Sequence, residues 1–115
     1  MFSAELCARA SEVSIPHEPV PREQIVSGSP STGTLELGQW HGLEVGVWEI
    51  TPGVMTDVEV DELCIILSGA GTVERVIDGQ PVHHTLAAGV VLKLLAGEAT
   101  TWRVTETVRK VYLIA

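Results

Sequence analysis

Positively charged residues are scarce in this sequence, and the shortage excludes several classes of partner. Among its 115 residues, Lys and Arg number 7 against 15 Asp and Glu, which gives a formal net charge of -8. A protein of this charge is repelled by phosphate backbones and by anionic lipid headgroups. We therefore expect neither a nucleic-acid partner nor a membrane partner.

Cysteines and long apolar runs are also scarce. The 2 cysteines, Cys7 and Cys64, lie in unrelated contexts, which suits reduced thiols in a cytosolic protein. No stretch approaches the apolar length of a membrane span, and Glu5 and Arg9 interrupt the segment where a signal peptide needs an apolar core. The expected location is the cytoplasm.

Proline and glycine divide the chain into two parts. Residues 16–42 are rich in Pro, Ser, Gly and Thr, which excludes a regular helix and predicts an ordered arm or an edge segment. The apolar stripe of residues 1–14 is too short to predict its structure. Because the length suits one domain, we predict an N-terminal extension over 1–19 and a single domain over 20–115.

After Gly42, apolar residues recur with a period of two, which is typical of β-strands. Asp78-Gly79 suits a two-residue hairpin turn, because both of its positions need a positive φ. The predicted strands begin at residue 43 and cover 57–68, 72–77, 80–86, 90–95, 100–105 and 108–114. Many short strands without a long helix predict an all-β sandwich or barrel.

The hairpin register decides which histidine faces the barrel. If the loop has two residues, Val73 lies opposite His84 and Glu74 lies opposite His83. His84 then points inward, as does Arg75, while His83 points outward. A change of one residue in loop length reverses this, so the sequence leaves the choice between the two histidines open.

Two glycine spacings and several short segments resemble a known family. Glu62 is followed after six residues by Gly69, and Gly89 is followed after seven residues by Gly97. The other matching segments lie at residues 46–49, 51–53, 61–69, 102–104 and 108–112. Residues 20–115 thereby resemble the small cupin family of unknown function related to the (S)-ureidoglycine aminohydrolase cupin domain, in the RmlC-like superfamily. The resemblance implies an all-β double-stranded β-helix, or jelly-roll barrel, that binds a small polar metabolite, nitrogenous or ureido in type.

The metal ligands of such barrels are largely replaced here. The resemblance aligns Thr56 and Val58 with two of the usual histidines and Thr100 with the third, and it keeps only Glu62 of the four usual ligands. A valine side chain has no donor atom, and a threonine hydroxyl is a poor ligand for zinc or iron. We therefore expect no cofactor, while a divalent ion held through Glu62 stays open.

Glu62 is the candidate catalytic residue. It shares a strand face with Cys64 and Ile66, and a buried carboxylate must be paired, hydrogen-bonded or protonated. As a structural carboxylate its candidate partners are Arg75, His84 and a tyrosine hydroxyl, and as an acid/base group its candidate partner is His84 or Lys110. Glu62 is thus either an acid/base group at a site or a structural carboxylate.

The rest of the predicted site surrounds Glu62 at the barrel mouth. Its ligand-binding residues are predicted to be Glu62, Thr56, Thr100, His84, Trp102 and Lys110. On the last strand Arg109 and Lys110 point to opposite faces, so one of them faces the barrel or a partner, as an ion-pair residue or as a ligand anchor. With 1 Phe and 1 Tyr in the chain, at least two of its 3 tryptophans are expected in the core. The acidic alternation over 57–61 predicts an exposed strand face.

Two functions are compatible with these features. The first is a small-molecule-binding cupin, with or without catalysis, and the second is a non-catalytic dimeric module for structure or ligand sensing. Leu63, Ile65 and Val111 make additional strand faces apolar, which predicts a homodimer. Whether the chain is an enzyme stays open at this level.

Overall fold

The period-two segments of the sequence form nine β-strands in the computed structural model, which describes residues 1–115. A single 3₁₀ turn, Arg22–Gln24, separates the first two strands. The strands are β1 (Glu18–Pro19), β2 (Ile25–Ser27), β3 (Ser31–Trp40), β4 (Leu43–Ile50), β5 (Gly53–Val58), β6 (Glu62–Ile77), β7 (Gln80–Leu86), β8 (Val91–Leu94) and β9 (Ala99–Ile114). None of the elements is a helix with the length and apolarity that a bilayer crossing requires.

The two 16-residue strands, β6 and β9, each contribute to both sheets of the barrel. The first half of β6 pairs with β8 and with the end of β9, and its second half pairs with β7 and the beginning of β9. One sheet therefore has the order β1-β3-β4-β9-β6-β8, and the other has the order β2-β5-β9-β6-β7. This arrangement confirms the predicted all-β jelly-roll barrel.

Glycines allow β6 to pass from one sheet to the other. The register of β6 against β9 shifts repeatedly between Ile66 and Gly71. A Cβ at Gly69 would lie 2.3 Å from the carbonyl oxygen of Thr107, and a Cβ at Gly71 would lie 2.1 Å from that of Arg103. The two strands approach this closely only because both positions lack a side chain.

The core lies between the two sheets and consists of one cluster of 13 buried residues. Its largest fully buried members are Trp102, Tyr112 and Ile50. Burial of these apolar side chains supplies the main stabilisation of the barrel. Two of the three tryptophans belong to this region, as predicted, since Trp48 packs against the cluster while Trp40 is 64% exposed.

Two hairpins have two-residue loops with positive φ at both positions. Asp78-Gly79 joins β6 to β7 with Ile77 opposite Gln80, which confirms the predicted register. His41-Gly42 joins β3 to β4 in the same way and was not predicted. The segment over 16–42, expected to be an arm or an edge, thus includes the ten-residue strand β3.

Three strand boundaries differ from the predicted ones. The segment predicted as one strand over 57–68 breaks at residues 59–61, between β5 and β6. Conversely, β6 continues through residues 69–71, and β9 continues through Glu106 and Thr107, where breaks were predicted. Sequence alternation does not reveal that β9 pairs with β6 at this point, where Glu106 lies opposite Ala70.

Residues before β1 pack against the outer face of the first sheet. Arg109 Nη1 donates hydrogen bonds to the carbonyl oxygens of Ala10 and Val13, at 3.0 and 2.7 Å. Val47, whose side chain lies on this face, is fully buried. The N-terminal segment therefore covers apolar surface that an isolated barrel would expose, and the domain boundary after residue 19 stays a prediction.

Candidate functional site

A cavity of about 200 Å³ opens between the two sheets, beside the connection from β5 to β6. Its lining combines two tryptophans with an unusual number of acidic groups. The carboxyl groups belong to Glu44, Asp57, Glu59 and Glu62, and the one cationic group belongs to Lys110. The barrel is therefore polar at this end, as predicted.

Glu62 faces this cavity and is paired with Lys110. Lys110 Nζ donates a hydrogen bond to Glu62 Oε2 at 2.5 Å, and the two side chains are only 5% and 8% exposed. Lys110 therefore fills the structural partner role for which Arg75, His84 and a tyrosine hydroxyl were the candidates. In a buried ion pair of this kind, removal of either charge leaves the other buried without compensation.

Two tryptophan rings hold the ammonium group of Lys110 in place. Lys110 Nζ lies 4.5 Å from the ring centroid of Trp48 and 5.0 Å from that of Trp102. The ring quadrupoles attract the cation, and the attraction is strongest where water is excluded. The lysine is thus fixed between Glu62 and an aromatic wall.

Glu59 is the most deeply buried carboxyl group of the site. Its Oε2 accepts hydrogen bonds from Thr100 Oγ1 at 2.5 Å and from Trp102 Nε1 at 3.2 Å. Burial outweighs these hydrogen bonds and raises the pKa of Glu59 above its ordinary value. The prediction that Glu59 lies on an exposed strand face is wrong.

The break between β5 and β6 explains the inward position of Glu59. Residues 59–61 leave the strand, and Glu59 bonds through its backbone to Gly97 and Glu98 of the opposite loop. The alternation of β5 continues to Glu59, so Glu59 is buried while Val58 and Val60 are exposed, and the break reverses this alternation before Glu62. No signal in the local sequence pattern marks this reversal.

Asp57 occupies the lining position that was predicted for Thr56. Asp57 borders the cavity, and burial raises the pKa of its carboxyl group. Thr56 is exposed on the other face of β5, and its hydroxyl donates to the Gln24 carbonyl oxygen at 3.4 Å. The expected placement of Thr56 on the lining is therefore wrong by one residue. Thr100 is buried as expected, but its hydroxyl donates to Glu59 and it does not itself line the cavity.

Tyr112 and Glu44 form a second polar contact in the cavity, which the sequence did not reveal. Tyr112 Oη donates to Glu44 Oε2 at 2.7 Å, and burial, together with this bond, raises the pKa of the tyrosine hydroxyl. A Cβ at Gly46 would lie 2.2 Å from Tyr112 Oη. The tyrosine ring fits over β4 only because this residue is glycine.

His84 points inward and His83 outward, but His84 lies in a different cavity. His84 borders a space between β7 and β8 together with Arg75, and His83 pairs with Glu74 on the surface at 2.8 Å. The prediction that His84 surrounds Glu62 is wrong, because alternation assigns a strand face but not a position along the barrel.

The donor set of the first cavity does not suit a metal ion. No group of three or more His, Cys, Asp or Glu side chains is arranged to hold one. Moreover, Lys110 places a positive charge against Glu62, the only ligand that the resemblance keeps, and this charge opposes a cation there. The metal content of the protein stays a prediction.

Residues 37–112 match the model of the EutQ-like cupin domain. No curated protein matches the chain. The family match agrees with the jelly-roll barrel of the structure.

Several solved structures share the fold. A protein of unknown function of the DUF861 family from Pseudomonas syringae pv. tomato str. DC3000 superposes with a TM-score of 0.72 at 21% identity, over 90% of this chain and 45% of that chain. The EutQ protein of Clostridium difficile superposes with a TM-score of 0.55 at 19% identity, over 73% and 61% of the two chains. The Salmonella typhimurium LT2 structure described as ethanolamine utilization protein Q gives 0.58 at 14% identity, over 90% and 96%. This chain thus spans less than half of the P. syringae protein, and the likeness concerns the fold.

Proposed function

Since the chain belongs to the EutQ-like cupin domain family, we propose that its barrel binds a small polar molecule that is neutral or cationic. The observation that carries the proposal is the excess of acidic groups in a cavity of about 200 Å³, where four carboxyl groups accompany one ammonium group. Lys110 is already neutralised by Glu62, so Glu44, Asp57 and Glu59 have no cationic partner within the cavity.

The raised pKa values of Asp57 and Glu59 favour the same class of ligand. Burial makes both carboxyl groups retain a proton more readily than they do in water. A protonated carboxyl group donates a hydrogen bond, and an ionised one accepts from an N–H group. A ureido group offers both N–H donors and a carbonyl acceptor, so the nitrogenous class implied by the resemblance suits this cavity.

For acid–base chemistry the cavity offers Glu59 rather than Glu62. A carboxyl group transfers protons best when its pKa approaches the working pH, and the pKa of Glu59 is raised toward it. Glu62 is held in the ion pair with Lys110. The catalytic role of Glu62 stays a prediction, and we propose ligand binding as the primary activity.

A thermal-shift screen with two probes tests the proposal. Methylguanidinium and N-methylurea are similar in shape and represent the cationic and neutral classes. A ligand at a hundred times its Kd adds about 2.7 kcal/mol to stability. We expect at least one probe class to raise the melting temperature of the unmodified protein, and Glu59→Gln to reduce the effect.

Glu74→Gln provides the matched control, because Glu74 lies on the surface beside His83. It should leave the response to both probes unchanged. If neither class shifts the melting temperature, or if Glu59→Gln and Glu74→Gln respond alike, the cavity is not the ligand site.

A second candidate function, a dimeric module without catalysis, is favoured by one apolar surface. On the outer face of β6 and β8, Leu63, Ile65 and Val91 are 44%, 38% and 60% exposed. Contiguous apolar surface of this kind favours association with another chain. Light scattering at micromolar concentration tests this, with a homodimer expected from the wild type and a monomer from Leu63→Lys. A monomeric wild type would contradict the proposal.

A further inference from the structure

A second cavity, of about 590 Å³, lies between β7 and β8, the outermost strands on one side of the two sheets. It shares no lining residue with the first cavity. Its polar lining groups are Arg75, His84, Lys93, Glu98 and Asp78. The two cavities therefore differ chemically, and the second has the cationic side chains of both Arg75 and Lys93 in its lining.

Arg75 is fixed in this second cavity by a two-pronged contact. Its Nε and Nη2 atoms donate to the two carboxylate oxygens of Glu98, and Nη2 also donates to the Lys93 carbonyl oxygen at 2.8 Å. Glu98 Oε1 accepts a further bond from the backbone N–H of Leu95 at 2.8 Å. The carboxylate of Glu98 is thus satisfied within the protein, while these bonds leave Nη1 of Arg75 for another acceptor.

His84 adds a polar atom that the protein leaves without a partner. Its Nε2 atom is shielded from solvent and forms no hydrogen bond. Buried polar atoms of this kind are nearly always paired in folded proteins, because an unpaired one loses its hydration without compensation. The ring borders the cavity beside Arg75, so an acceptor seated there would complete its hydrogen bonding after a small rotation of the ring.

We propose that the second cavity binds a small oxyanion, a carboxylate or a phosphate, between Arg75, His84 and Lys93. Glu98 is neutralised by Arg75, and Asp78 lies exposed at the tip of the β6–β7 turn. The first cavity carries an excess of carboxyl groups and repels an anion. The second cavity thus offers an anionic group a more favourable environment than the first cavity does.

Nitrogen-15 NMR of the four histidine rings tests the proposal, with malonate and inorganic phosphate as separate probes. We expect saturable shifts of the His84 ring signals with one or both probes, and much smaller shifts for His41 and His83, which are exposed. The probe that saturates at the lower concentration identifies the source of the oxyanion.

Three variants complete the test. His84→Gln and Lys93→Gln should each raise the Kd of the better probe roughly tenfold, the effect of losing one hydrogen bond to a charged group. His83→Gln, which alters the neighbouring surface histidine, should leave the Kd unchanged, and so should Glu59→Gln in the first cavity. Melting temperatures confirm that each variant is folded.

The His84 shifts could instead grow linearly with probe concentration, in parallel with those of His41 and His83. Such shifts would reflect ionic strength alone and overturn the proposal. A Kd unaffected by both His84→Gln and Lys93→Gln would also overturn it. Because Glu59→Gln reports only on the first cavity, failure of the oxyanion site is distinguishable from failure of the function proposed above.

Discussion

Lys110 donates from Nζ to Glu62 Oε2 at 2.5 Å, inside a pocket where both side chains are almost completely withdrawn from solvent. Glu62, the carboxylate for which the sequence predicted a partner, thus lies against the ammonium group of Lys110 on β9. Each charge is stable there because the other is present, and the tryptophan rings exclude competing water.

Lys110→Met should destabilise the barrel strongly, because it leaves Glu62 as an uncompensated buried charge. Breaking a buried pair from one side typically costs about 3–5 kcal/mol. Urea denaturation of the single variants and of the Lys110→Met/Glu62→Leu double variant measures the coupling. The double variant should recover much of the loss, and single variants within about 0.5 kcal/mol of wild type would contradict the buried pair.

Arg109→Gln should release the N-terminal segment from the first sheet. The guanidinium group binds the carbonyl oxygens of Ala10 and Val13 and donates to Glu49 Oε2 at 2.7 Å. Its loss should lower stability by about 1–3 kcal/mol and expose the first residues to limited proteolysis. Arg103→Gln, an exposed arginine of the same strand, is the control. Equal cleavage rates in the two variants would show that Arg109 does not hold the segment.

The raised pKa of Glu59 predicts a pH-dependent difference between wild type and Glu59→Gln. A pKa raised by burial above 4.5 means that folding favours the protonated group. The stabilisation is complete below the unfolded value and is lost as pH rises through the folded value. Relative to wild type, Glu59→Gln should therefore gain stability as pH rises above 4.5, by at most about 1.4 kcal/mol per pH unit.

Urea denaturation from about pH 4 to about pH 8 measures this difference. Glu74→Gln serves as the exposed control, since Glu74 forms only a surface pair with His83. If the difference in stability between wild type and Glu59→Gln stays constant over this range, the pKa of Glu59 is not raised and the prediction is wrong.

Several site residues could be predicted from the sequence because strand alternation is a local property. The inward positions of Glu62 and, for a two-residue hairpin loop, of His84 follow from alternation with apolar neighbours, whereas alternation left open whether Arg109 or Lys110 faces the barrel. Glu59 could not be predicted, because the break over 59–61 changes which alternate residues face inward, and this break depends on backbone hydrogen bonds to the distant loop around Gly97. Alternation placed His84 on the correct face of β7 but in the wrong cavity. The position of a residue along the barrel depends on how the strands pair, which alternation does not show.

The two cysteines should differ sharply in reactivity. Burial raises the pKa of Cys64 to about 11, whereas Cys7 is exposed in the N-terminal segment. Because the thiolate is the nucleophile, a thiol reagent should modify Cys7 and leave Cys64 unmodified in the folded protein. Mass spectrometry after brief alkylation checks this, and Cys7→Ser should remove the label. Rapid labelling of Cys64 without denaturant would contradict the packing of β6.

The central claim, that the acidic cavity selects cationic or neutral polar molecules, is tested most directly by tryptophan fluorescence. Trp48 and Trp102 border the cavity, and Trp40→Phe removes the exposed ring that lies outside it. In this background, methylguanidinium or N-methylurea should change the emission saturably, while acetate should not. A saturable response to acetate with none to the other two probes would contradict the claim.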